Sequence, residues 1–189
     1  MSGGPYRYGS NSRAELEEAH PELALLFEKL IQFFDVSILE AGRDPRQQVR
    51  NVRRGASRTM DSRHIPRDGE GRYDPEEHAQ AVDAAPYPVR WPRMPEVSPE
   101  LRRAIRGYAK DAGRFYYMHG ALAALAHENG VEIRHGVDWD MDDEFHDQSF
   151  DDLPHVELAV PRRPLRLEGD LLRRANEALR SRGLPEMGE

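Results

Sequence analysis

The stretch DSRHIPRDGEGRYDPEEHAQAVDAAPYP, Asp61 to Pro88, sets two histidines and one aspartate beside an apolar run. Asp83 stands among Ala81, Val82, Ala84 and Ala85, the setting of a partly buried carboxylate. Such a group needs a partner, and a cation is one option. His64 lies nineteen residues before it and His78 five. The stretch alone leaves open which histidine joins Asp83, and it also reads as an ordinary surface loop.

Outward from this stretch the chain carries a few short strands among longer helices. QAVDAAPYPVRWPRMP reads as a strand entering a proline-rich connection. Upstream, residues 1–12 read as an extended arm. Leu16, Ala19, Leu23, Leu26, Phe27, Leu30, Phe33 and Phe34 then recur at helical spacing, with Pro21 starting a second helix. Val36, Ile38 and Glu40 alternate in a strand that ends at Gly42, with Arg43 just beyond. PRQQVRNVRRG is a helix closed by Gly55.

Downstream, the longest helix has Ser98 as N-cap, Pro99 in its first turn and Gly130 as its stop. Leu101, Ile105, Tyr108, Ala112, Phe115, Leu122 and Leu125 form its buried face. VEIRHGVDW and HVELAV are two more strands, separated by an acidic loop. GDLLRRANEALRSRG closes the chain as an amphipathic helix that packs Leu171, Leu172, Ala175 and Leu179 and leaves Arg173, Arg174, Arg180 and Arg182 outside. Helices around a few strands without βαβ alternation predict an α+β domain. One domain is expected, with an arm (1–12), a core (13–160) and a helical extension (161–189).

Composition narrows the chemistry. The 189 residues carry a formal charge of −7, which argues against a nucleic-acid partner. There is no cysteine, so any metal site must use His, Asp, Glu or main-chain oxygen. No window reaches the length of a membrane span, and the N-terminus lacks the apolar segment of a secretory signal.

A further cluster lies at the end of the acidic loop. Asp152-Leu-Pro-His155 places a carboxylate three residues before a histidine as the chain enters a strand, a spacing that can aim both at one point. Two histidines and an aspartate suit a catalytic zinc with one position open to water, and a nearby carboxylate suits proton transfer. Glu157 follows His155 by two and faces the same side of the strand, as a partner orienting that histidine or as half of a cross-strand ion pair. Asp138, Asp140 and Asp142 are spaced like the start of a calcium loop. Asp143 and Ser149, however, replace the required Gly and Glu, so a solvated acidic loop is the simpler reading.

Taken in order, SRH, AVDAAPY, GVDWD and FDDLPHVEL resemble the VanY-type D-alanyl-D-alanine carboxypeptidases, and within them the phage L-alanyl-D-glutamate endopeptidases. YGSNSRAELEEAHPELALLFEKLI, ILEAGRDPRQQ and GASRTMDSRH extend the resemblance from about Tyr8 to Leu158. It implies a small antiparallel sheet flanked by helices, the fold of DD-peptidases and hedgehog-like zinc domains. It further implies a single zinc on His64, Asp83 and His155, Asp152 as the catalytic carboxylate, Arg43 as the group that binds a substrate carboxylate or steadies charge at the reacting carbonyl, and Ser62 at the substrate. The family's Ser-x-His-x-x-Gly-x-Ala-x-Asp pattern spaces His and Asp seven apart. Here Ser62 and His64 match its beginning, and the polar PRDGEGRYDPEEHAQ reads as an insertion whose ends stay in place. His64 is therefore the expected ligand and His78 the alternative.

The expected activity is hydrolysis of a peptidoglycan stem peptide, at the L-Ala–D-Glu bond or at the D-Ala end. The expected setting is a monomeric phage lysis enzyme that stays in the host cytoplasm until a partner releases it to the wall. A non-catalytic metal-binding or virion domain that keeps the fold is the rival reading.

Overall fold

The computed structural model describes residues 4–93, 101–142, 144–145 and 150–188, with backbone alone for 101–107. Ser98, Pro99, Asp143 and Ser149, and the side chains of Leu101 and Ile105, lie outside this description. Helices α1 (Ser10–Glu18) and α2 (Pro21–Leu30) break where Pro21 takes the first helical turn. Helix α1 begins inside the stretch expected to be an arm. Tertiary contacts order it: Ser12 Oγ accepts the Ile38 amide at 3.1 Å, Glu15 accepts the Ala41 amide at 2.9 Å, and Tyr8 donates its hydroxyl to Phe27 O at 2.7 Å.

Strands β1 (Val36–Glu40), β2 (Ala81–Pro86), β3 (Ile133–His135) and β4 (His155–Leu158) form one antiparallel sheet in the order β1-β2-β4-β3. Side chains alternate across it. Val82, Ala84, Val156 and Leu158 face a core completed by Leu23, Leu26 and Phe27 of α2 and by Phe115, Met118 and Leu122 of α4 (Leu101–Asn129). Tyr108 and Phe33, read from sequence as part of the apolar stripes, are 36% and 53% exposed. Among the described side chains of α4 the first buried one is Phe115, beyond Tyr108, and Phe33 lies past the end of α2.

On the other face, Glu40, Asp83 and His155 stand in one row across three strands, and Glu157 pairs with Arg134 in the next. Glu40 reaches this row through a bulge. Ile38 pairs with Ala84 and Glu40 with Asp83, so one extra residue turns Glu40 toward the site.

A second, smaller core joins α3 (Pro45–Arg53) to α5 (Gly169–Ser181) through Val49, Val52, Ile65, Leu165, Ala175 and Leu179. The insertion after His64 docks here. Its ends stay together, with the Gln80 amide on Arg63 O at 2.9 Å. Its tip turns at Gly71, whose carbonyl accepts the Arg166 amide at 2.8 Å. Only glycine fits there: φ is +88°, and a Cβ would sit 2.3 Å from Pro164 O.

Candidate metal centre and active-site cleft

Three atoms with lone pairs converge above the sheet. His64 Nε2 lies 3.2 Å from Asp83 Oδ1, His155 Nδ1 lies 3.0 Å from the same oxygen, and the two nitrogens are 3.2 Å apart. Strand register supplies two of them, since Asp83 and His155 are direct partners on β2 and β4. His64 arrives from a turn in which Ser62 Oγ accepts the His64 amide at 3.3 Å, while His64 O accepts the Arg43 amide at 2.8 Å.

The outer ring atoms set the tautomers. His64 Nδ1 donates to Ala41 O at 2.8 Å, and His155 Nε2 donates to Glu157 Oε2 at 2.9 Å. The remaining ring nitrogens therefore both turn lone pairs toward Asp83 Oδ1, an arrangement that repels itself unless a cation or proton sits between them. A tetrahedral ion about 2.0–2.1 Å from each ligand would space them by about 3.3–3.4 Å, close to the separations present. The donor set thus fits a divalent metal. A proton competes for the same place. Burial alone would lower His155, but Asp83 and Glu157 on either side push it up to about 9. Burial likewise opposes the Asp83 charge, yet His64 and His155 hold its carboxyl far below the usual carboxylate range.

Glu157 makes contacts in both directions, along and across the strands. One oxygen orients His155, and the other carries an ion pair to Arg134 across the strands and a second to Arg63 at 3.1 Å. Trp139 tilts over His155 with ring centroids 5.3 Å apart. Arg43 is held by Glu40 and by Gln48 Oε1 at 2.6 Å, and its Nη2 stands 3.9 Å from Asp83 Oδ2. Glu40 and Gln48 were not singled out from sequence, because only the bulge and the α3 register bring them to Arg43.

Asp152 lines the same cleft of about 800 Å³ as Arg43, Ser62, His64, Asp83 and His155. Burial, then the Asp83 charge, pushes its carboxyl up, against the pull of His155, His64 and Arg43. His78 is elsewhere, exposed beside Tyr73 and Glu77 in a separate groove, and is not among the converging atoms.

The carboxylates of Asp138, Asp140 and Asp142 also lie together. Asp138 Oδ1, however, accepts the amides of Met141 at 2.9 Å and Asp142 at 3.3 Å, so it shapes its own turn. Nothing beyond acidity supports a calcium ion there. A pair that sequence reading missed joins buried His119 of α4 to half-buried His135 of β3. Their Nδ1 atoms are 2.8 Å apart, and His119 Nε2 donates to Leu153 O at 2.8 Å.

The chain is similar to known proteins over most of its length. It is 25% identical to the L-alanyl-D-glutamate peptidase of Escherichia phage T5 over 164 residues, covering 81% of this chain and 98% of that one. The crystal structure of the Serratia marcescens L-Ala D-Glu endopeptidase ChiX shares the fold, with a TM-score of 0.56 and 21% identity over 82% of this chain and 91% of its own. The profile of the family described as phage L-alanyl-D-glutamate peptidase matches residues 4–159, most of the chain, and the chain belongs to that family.

Proposed function

We propose that this protein is a zinc-dependent peptidase that cuts the L-Ala–D-Glu bond of peptidoglycan stem peptides as a phage lysis enzyme. The observation that carries the reading is the convergence of His64 Nε2, Asp83 Oδ1 and His155 Nδ1 beside Asp152 in one cleft. Zinc, when bound, supplies a Lewis acid that polarises the scissile carbonyl and acidifies a water. Asp152 accepts the proton of the attacking water and delivers it to the leaving amide nitrogen, a role that suits a carboxyl with a raised pKa. Arg43, its guanidinium fixed by Glu40 and Gln48, faces the charge that develops on the carbonyl oxygen or the carboxylate of the glutamyl residue. Ser62 supports the turn that delivers His64. Glu157 and Ala41 O hold the two imidazoles in the tautomers a metal requires.

The test is mass spectrometry of purified peptidoglycan incubated with the protein, with and without a chelator. Chelator-sensitive new termini at the L-Ala–D-Glu bond are expected. New termini at D-Ala would reassign the bond. An unchanged digest from folded, zinc-loaded protein would favour the non-catalytic rival. Among the described residues no helix is long and apolar enough to cross a membrane. In this proposal the enzyme waits in the host cytoplasm for a membrane-permeabilising partner.

A further inference from the structure

The family match ends at residue 159, yet the cleft does not. Arg162, Arg182 and Leu184 line it together with His64, Asp83 and His155. This segment stays in place through the second core, and through Asp61 Oδ1, which accepts the Leu165 amide at 3.2 Å. The insertion, the other departure from the family pattern, braces it from behind through the Gly71–Arg166 bond.

The charge balance of the cleft runs opposite to that of the chain. Seven arginines and five carboxylates line it, on a protein of net charge −7. Three of those arginines are already engaged: Arg43 by Glu40, and Arg63 and Arg134 by Glu157. Arg162 is not matched in this way. Its side chain is 11% exposed, and its Nη2 lies 3.5 Å from Asp61 Oδ1, an oxygen that Arg67 holds at 2.5 Å. Burial and the neighbouring Arg67 both work against its charge. Arg182 leaves the end of α5 and lays its guanidinium over Gly55, where a Cβ would come within 2.9 Å of Nη2. No carboxylate among the described residues pairs with it.

We infer that the C-terminal segment builds an anion subsite, Arg162 with Arg182, that binds a carboxylate of the stem peptide lying beyond the glutamyl residue at the cut bond. The inference rests on the peptidase reading and deepens it by assigning specificity to residues outside the family core. A partly desolvated guanidinium, Arg162, and an exposed one, Arg182, in the wall of one cleft suit a carboxylate through charge-assisted hydrogen bonds. Two carboxylates fit this description: the free C-terminus of the stem and the side-chain carboxylate of a diamino-diacid residue.

The test uses synthetic stem peptides in four forms, with a free or amidated C-terminus and with lysine or diaminopimelic acid at the third position. They are assayed with zinc-loaded wild type and with Arg162→Gln and Arg182→Gln. Removing the recognised carboxylate is expected to raise the wild-type KM about tenfold with kcat held, the worth of one charge-assisted hydrogen-bond pair. Each variant should show the raised KM on every peptide and no longer discriminate. The form that matters identifies the source of the carboxylate. Variants that discriminate as wild type does, or that lose kcat instead of KM, overturn the subsite. Calorimetric titration with the product peptides, free and amidated, reads the same preference without turnover. A chain that cuts nothing but binds the carboxylate form more tightly through Arg182 would sink the catalytic reading and keep the subsite. Equal binding of both forms would sink the subsite alone. Arg182 is exposed, so its variant carries the test should Arg162→Gln fail to fold.

Discussion

Gly136 is where the site is most sensitive to one methyl group. The residue follows β3 and lies against the turn that carries both Asp152 and His155. Its amide donates to His155 O at 2.9 Å, and its carbonyl accepts the Asp152 amide at 2.7 Å. A Cβ at this position would meet Asp152 O at 2.4 Å, His155 Cβ at 2.8 Å and Asp152 Cβ at 2.9 Å. Ordinary contact needs about 3.4 Å or more, so Gly136→Ala must push the 152–155 turn away by about 1 Å. Such overpacking costs about 1–3 kcal/mol of stability, which a folded domain tolerates. The chemistry is less tolerant, because a displacement of about 1 Å in a positioned catalytic group can cost about 100-fold in rate. Chelator-sensitive release of peptide termini should therefore fall by about that factor, mainly in kcat, with melting temperature and circular dichroism reporting a folded chain. Gly120→Ala is the control. Its Cβ would meet nothing within 4 Å on the exposed side of α4, and alanine there should be neutral or slightly stabilising. A folded Gly136→Ala protein with wild-type kcat would refute the claim that this backbone contact fixes Asp152 against His155.

Other substitutions probe the remaining joints. His64→Ala should lose its zinc in elemental analysis after dialysis while His78→Ala keeps it, and full retention in the His64 variant would overturn the ligand set. Glu157→Gln removes the carboxylate that orients His155 and should weaken metal affinity about 10–100-fold in a chelator competition. Leu179→Ala empties part of the second core and should cost about 2–5 kcal/mol in urea denaturation, and a loss well under 1 kcal/mol would mean that α5 is only loosely docked. His119 is lowered to about 3 by burial and then by His135, so the native state resists a proton that the unfolded chain takes up at about 6.5. Stability from this group is complete above pH 6.5 and drains as pH falls toward 3. The advantage of wild type over His119→Phe should shrink over that window by on the order of 4 kcal/mol, and a pH-independent difference would refute it.

Local pattern reveals the sheet residues well and the loop-borne ones poorly. Glu157 and His155 share a face by alternation along one strand, whereas the meeting of Asp83 with His155 came from the family resemblance, since alternation does not say which strand lies beside which. His64 was legible through its flanking SRH, although its separation from Asp83 departs from the family pattern. The closed insertion explains why: Gln80 N reaches Arg63 O, so sixteen residues can intervene without moving either ligand. Glu40 was read as a strand position, but its place beside Arg43 needed a bulge that periodicity does not announce. His119 was not singled out on its long helix, because its partner lies on another element. Arg182 was read as a solvent-facing charge, since a helical wheel cannot show that a side chain beyond the helix end folds over Gly55.

Both departures from the family pattern meet at one place. The insertion alone would be a polar loop with nothing to bury, and the C-terminal helix alone would have an apolar stripe without a partner. The helix docks on α3 and buries Val52, Ile65, Ala175 and Leu179, the insertion hydrogen-bonds the segment before it through Gly71 and Arg166, and Arg162 stands in the wall of the cleft. Of the proposed metal ligands, Asp83 and His155 depend on sheet register and need neither addition, while His64 stands on the turn just before the insertion. Changes confined to the insertion tip, such as at Gly71, should therefore act on the Arg162 wall and on substrate selection before they reach the chemistry at His64, Asp83 and His155. With the proposed subsite on added segments and the proposed metal ligands in the family-matched part, peptide selection can change without altering the hydrolytic centre.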